Sequence, residues 1–353
     1  MALRMHPSMV AHELLGTRTV VQIDTQQLPT PGSGYRHRPA DASMCGVVGQ
    51  VVRVKVAGRK GCGRRTVTRV LRGAGVVIVD PAEPADLVVY VLAETLKPED
   101  RRALTESPRP AVAVLNKADL AGFGGEGPVV AAAAHCRRLR ELTGVPIYPL
   151  AGLAALAAVD DTVIDDELVE ALRALTTDPA DLGSTDRFAA TAHRLPDATR
   201  QRLLTQLDLF GIAHGVLAMR DGADRTGLVT ALRRASAVDG LLAGIDTAAA
   251  PVRYRRLTEA HAAKFPAAGE TDEQVAARMA AAVEVVRAAG MTVDDGVTAT
   301  AHLQRAITWQ RYSRGPVSRL HRSCGVDIAR GSLRLWERAG GVAEPWEPLG
   351  LKP

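Results

Sequence analysis

A chain of 353 residues with 46% hydrophobic content has the length for two domains, and aromatics at 3% leave their cores to Ala, Val and Leu. No apolar run reaches bilayer-spanning length, and four scattered cysteines without a CxxC pair argue against a disulfide framework or a cysteine zinc site. The net charge of +5 rests on arginines spread through an Ala-, Val- and Gly-rich composition, so charge alone does not point to nucleic acid.

Residues 1–49 read as an irregular extension. Residues 19–24 suit one strand, and Pro29, Pro31, Gly32, Gly34 and Pro39 then exclude a continuous helix. The first ten residues carry Arg4 and His6 but no apolar h-region, so they do not read as a secretory signal. With reduced thiols, that places the expected location in the cytoplasm.

From Val47 polar and apolar residues alternate as in a strand, which runs into Gly58-Arg59-Lys60-Gly61-Cys62-Gly63-Arg64-Arg65-Thr66 and then a helix. Strand, glycine turn and helix make the setting in which backbone N–H groups and a helix N-terminus close on phosphates. Gly58 and Gly63 keep the spacing of G-x-x-x-x-G-K-[ST]. Arg64 stands in the Lys place, Arg65 in the hydroxyl place, Thr66 comes one residue late, and Lys60 lies inside the loop. Residues 75–81 are expected as a buried strand ending in Asp80, without the glycine of D-x-x-G. Residues 85–92 read as another buried strand, and Lys97-Pro98-Glu99-Asp100 as a helix start. An apolar strand over 111–115 then ends in Asn116-Lys117-Ala118-Asp119. A glycine loop, a helix over 129–143 and a strand with a turn over 144–152 follow.

Asn116-Lys117-x-Asp119 resembles the guanine-specificity motif of P-loop GTPases. In the order of its elements, 50–155 resembles a divergent GTPase domain of the translation-factor-related class. The resemblance implies an α/β fold, a parallel-sheet P-loop GTPase-like domain, and GTP or GDP as ligand. Asp119 would accept hydrogen bonds from guanine N1 and N2, the Asn116 amide would pair with the opposite base edge, and the Lys117 stem would lie along the ring. Gly58, Lys60, Gly61, Gly63, Arg64 and Thr66 would contact phosphates, and the N–H at Ala151 would meet the guanine oxygen. Only about ten residues separate Thr66 from Val76, where a GTPase places a switch loop with a magnesium-binding Thr. That leaves magnesium in doubt, and no residue stands out as a catalytic or metal-binding group.

Residues 156–353 read as a mainly α-helical second domain. The acids from Asp160 to Glu167 suit a solvated helix start better than a metal site. Helices are expected over 196–220, 226–245 and 270–289. The phrase over 235–241 resembles the final helix of a GTPase domain, which makes 225–246 a candidate to return to the GTPase-like domain. From 301 to 338, eight arginines face only Asp327 and Glu337, with Trp309, Tyr312 and Trp336 interleaved. A helical hairpin with solvated arginine heads is the first reading. A protein partner, single-stranded nucleic acid or an anionic membrane surface are the others.

The sequence thus points to a GTPase-like regulatory or scaffolding protein, a pseudo-GTPase, acting through a protein partner, another GTPase among the candidates. Two readings stand beside it. One is a slow GTPase in which Lys60 or Arg64 replaces the missing Lys and Thr66 reaches magnesium. The other is a basic nucleic-acid-binding adaptor that uses residues 301–338.

Overall fold

The computed structural model describes residues 51–122, 127–264 and 270–341. The expected extension over residues 1–49 lies outside them, as do Gly124 and Gly125 of the glycine loop. β1 (Val54–Gly58), β2 (Leu87–Ala93), β3 (Ala111–Asn116) and β4 (Ile147–Leu150) form a parallel sheet in that order. Successive side chains alternate across it: Leu87, Val89, Val91, Val112 and Val114 enter one core, Tyr90, Leu92, Ala113 and Leu115 the other. Helices cover both faces, which is why these strands are continuous apolar runs. α1 (Arg64–Gly73) lies on the first face, α2 (Pro98–Thr105) and α3 (Pro128–Thr143) on the second.

Residues 76–79, expected as a buried strand, form an edge joined to β1 by a single parallel bridge between Val54 and Ile78. Val77 is exposed there, because no described element packs beyond it. The chain then crosses to β2 through residues 80–86 without a helix. Asp86 ends that crossing by accepting the Arg53 N–H at 2.7 Å. Strand order therefore reverses at β1, and the glycine loop follows β1 directly. In open α/β sheets the crevice at such a reversal is the usual ligand site.

After β4 come α4 (Gly152–Val159), α5 (Asp166–Thr177), capped by the Asp165 carboxylate on the Leu168 N–H, and α6 (Thr185–Ala190). The helix expected over 196–220 is α7 (Asp197–Arg220), broken at Asp208, where φ is 54° and ψ −174°. The one expected over 226–245 is two, α8 (Arg225–Ser236) and α9 (Val238–Lys264), parted by Ala237 in a left-handed conformation. α9 lies against the sheet: Val238, Leu241 and Ile245 share a core with Val112 and Leu150, and that core also takes in α5, α7 and α8. One core thus lies on both sides of residue 155.

Further along α9, Ala250 and Tyr254 belong to a separate core with α10 (Asp272–Ala288), α11 (Ala299–Arg314) and α12 (Arg319–Arg338). Tyr254 donates to the buried Asp327 carboxylate at 2.6 Å, which Arg278 also holds at 2.5 Å. Among the described residues no helix is long and apolar enough to cross a membrane.

α9 meets the sheet at Gly244, where a Cβ would stand 2.3 Å from the Tyr148 ring. Gly244→Ala should therefore lower stability by about 1–3 kcal/mol through overpacking, although alanine is the better helix former. Urea unfolding checks this, and Tyr148→Ala should recover part of the loss if the ring is the obstacle.

Candidate functional site

The loop from Gly58 to Gly63 is pinned from outside and from within. Outside, the Arg59 Nε donates to both oxygens of Asp100 at 2.9 and 3.0 Å. Asp100 is fully buried in the first turn of α2 and also accepts from the Tyr90 hydroxyl at 2.9 Å and the Lys97 N–H at 3.0 Å. Burial and the bond to Asp100 push the Tyr90 phenol up to about 12. Within the loop, the Cys62 thiol donates to the Arg59 carbonyl at 2.8 Å, and burial raises its pKa. That burial disfavours the thiolate and leaves the thiol packed inside the loop.

Lys60, Arg64 and Arg65 are exposed around the start of α1, and Gly61 is exposed among them. Among the described residues none of these three cations has a carboxylate within 4 Å, in contrast to Arg59 and Arg69. α1 has no acidic residue in its first turn and no side-chain cap, so its first N–H groups are free for an anion. Thr66 turns its methyl group toward Gly152 at the start of α4.

Asn116 closes this loop onto β3. Its Nδ2 donates to the Cys62 carbonyl at 3.0 Å, and the residue is buried. Gly63, at φ 87°, makes room for it: a Cβ there would stand 2.1 Å from Nδ2. A Cβ on Gly152 would stand 2.5 Å from Oδ1, which is buried and without a partner among the described residues. The amide expected to pair with a base edge is thus committed to the loop.

Lys117 is exposed in a left-handed conformation at φ 60°. It lines a cavity of about 480 Å³ at the carboxyl ends of β2 and β3, with Glu94, Asn116, His135 and Arg138. Asp119 follows in a short 3-10 helix (Ala118–Leu120), half-buried, and burial raises its pKa while Lys117 opposes the shift. Ala151 is buried, and its N–H donates to the Ser236 carbonyl at 3.1 Å, so it is not free for a base oxygen.

Sequence reasoning missed Asp208. At the break in α7 its carboxylate caps the Gly211 N–H at 3.0 Å. Burial pushes it up to about 6, and the charge of Asp119 adds to the shift. The positive φ within an apolar helical run left no periodicity signal. Arg59 and Asp100 were missed as a pair because 41 residues separate them.

In the C-terminal hairpin Trp309 is only 5% exposed and packs in the core. Arg305 is equally buried, donating to Ser332 Oγ and to the carbonyls of Asp294 and Gly296. Among the described residues no group of three His, Cys, Asp or Glu side chains is placed to hold a metal ion.

A carboxyl raised in the folded state keeps its proton at pH values where the unfolded chain has lost it. The Asp208 contribution to stability is therefore full below about pH 4 and is lost as pH climbs to about 6. Asp208→Asn keeps an acceptor for the Gly211 N–H and removes the charge. In urea unfolding it should exceed the parent by about 1–3 kcal/mol at pH 7.5 and show no gain at pH 4. An equal difference at both pH values would mean that the charge is not the cause.

Compared with protein-family models, curated proteins and solved structures, the chain gives no match.

Proposed function

We propose that the α/β body binds a guanine nucleotide at the end of β1 and serves as a regulatory or scaffolding protein with little or no hydrolysis. The observation that carries this reading is the Asn116 Nδ2 bond to the Cys62 carbonyl, which joins the Asn-Lys-x-Asp turn to the glycine loop. It holds the end of β3, from which Lys117 and the half-buried Asp119 follow, against the loop that leads into the uncapped start of α1 with Lys60, Arg64 and Arg65. Phosphates would meet the α1 N–H groups and the three cations. Asp119 would read the two guanine donors, and the Lys117 stem would cover the ring.

Hydrolysis needs charge neutralisation, a magnesium site and a positioned water. The crossing at residues 80–86 ends on Arg53, near the start of β1 and away from the loop, so Asp86 is not available to the phosphates. The nucleotide would then act by holding a surface for a protein partner.

Calorimetry with GDP, GTP and ATP, with and without magnesium, tests the reading. Guanine nucleotides should bind more tightly than ATP, with little dependence on magnesium. Asp119→Ala should abolish the preference at a cost of about 1.5–3 kcal/mol. Arg64→Ala with Lys60→Ala should weaken GDP but not guanosine. Equal affinity for ATP and GTP, or no binding of either, would sink the proposal. So would magnesium-dependent turnover lost in the Lys60, Arg64 variant, which would make the chain an active GTPase.

A further inference from the structure

The charge of the C-terminal hairpin is sorted along its length. Arg330 pairs with Glu270 at 2.8 Å, Arg334 with Glu337 at 3.0 Å and Arg338 with Asp272 at 2.8 Å. At the opposite end, Arg311 and Arg314 close α11 and Arg319 and Arg322 open α12, all four exposed. Among the described residues none of these four has a carboxylate within 4 Å, and the sequence holds no acidic residue from 301 to 326. Two of the four also lie at the N-terminus of a 20-residue helix, where the dipole is itself positive and cations are least welcome. An anion at this tip relieves both repulsions.

We propose that the α11–α12 tip docks on an anionic lipid bilayer, with these four arginines on headgroup phosphates. Two observations favour lipid over nucleic acid. The hairpin exposes aliphatic side chains near these arginines: Ile307 one turn before Arg311 on α11, and Val326 one turn beyond Arg322 on the α12 stripe that carries Arg319 and Arg322. Such mixing suits an interface of headgroups and acyl chains. The aromatics nearest the tip, in turn, are not offered to bases. Trp309 is in the core, and the Tyr312 hydroxyl shares a hydrogen bond with His321 Nδ1 at 3.0 Å. The contact is peripheral, since no described helix is able to span a membrane.

The test is co-sedimentation of the full chain with phosphatidylcholine vesicles and with vesicles carrying about 30% phosphatidylserine, at about 0.1 M salt. Binding is expected to the anionic vesicles alone. Each Arg→Gln change at 311, 314, 319 or 322 should lower partitioning about fivefold, and all four together several hundred-fold. Arg334→Gln with Arg338→Gln, whose parent side chains are already paired, should cost far less. Matching thermal melts will separate loss of binding from loss of fold. No binding to anionic vesicles, equal binding to neutral ones, or an unaffected quadruple variant would overturn the proposal. Tighter binding of single- or double-stranded oligonucleotide through the same arginines would overturn it too and make nucleic acid the partner.

Discussion

The candidate site depends on one buried amide. Asn116 is the last residue of β3, in register with Ala93 on β2 and Leu150 on β4. From there its Nδ2 bonds to a loop 54 residues earlier, while its Oδ1 faces the start of α4. Two glycines give it space, Gly63 on one side and Gly152 on the other. An oxygen left buried and unpartnered costs about 1–3 kcal/mol, so the position is held by the bond on the other side of the amide and by packing. Any larger residue at 63 or 152 drives the amide out and separates the two halves of the site. Arg59 on Asp100 does the complementary task, fixing the outer limb of the loop.

The second constraint is the path of α9. A helix that begins on the sheet and ends in another core couples the two, because shifting its first turns moves Tyr254 and with it Asp327 and Arg278. The helices inserted between α4 and α9 do not form a body apart. Their apolar sides join the core of the sheet's first face, and α8 hands the Ser236 carbonyl to the Ala151 N–H. The price of that continuity is a backbone donor that the resemblance to a GTPase had placed on the base.

Much of the fold was legible because the physics was local. Strands buried on both faces must be apolar throughout, so β2 and β3 announced themselves. α2 and α5 carried their starts in Pro98 and Asp165. The apolar spacing of 226–245 gave helix but not destination, and the packing of Val238, Leu241 and Ile245 on the sheet is a tertiary fact. Where tertiary contacts decide, the sequence was silent. Nothing local distinguishes the exposed edge at Val77 from a buried strand, or reveals that Asp208 breaks α7 where leucines continue the helical pattern. The site divides the same way. Glycine spacing and the Asn-Lys-x-Asp turn were visible, but the use of the Asn116 amide and the Ala151 N–H is settled by partners 54 and 85 residues away.

On the proposed reading, the short crossing also decides what kind of signal the protein could carry. A nucleotide shifts a conformational equilibrium only as far as its affinities for the two states differ. Telling a triphosphate from a diphosphate requires a segment that touches the third phosphate and has somewhere else to go. The chain between α1 and β2 has no such segment: residues 76–79 are bonded to β1, and residues 80–86 end on Arg53 and, through Asp86, on Arg256 of α9. Both anchors hold the last residue of the crossing at the end of the sheet opposite the glycine loop. Lys60, Arg64 and Arg65 attract phosphate charge without counting phosphates. If the proposed reading holds, the described residues would respond to the presence of a guanine nucleotide and not to its hydrolysis, which suits a scaffold better than a timer.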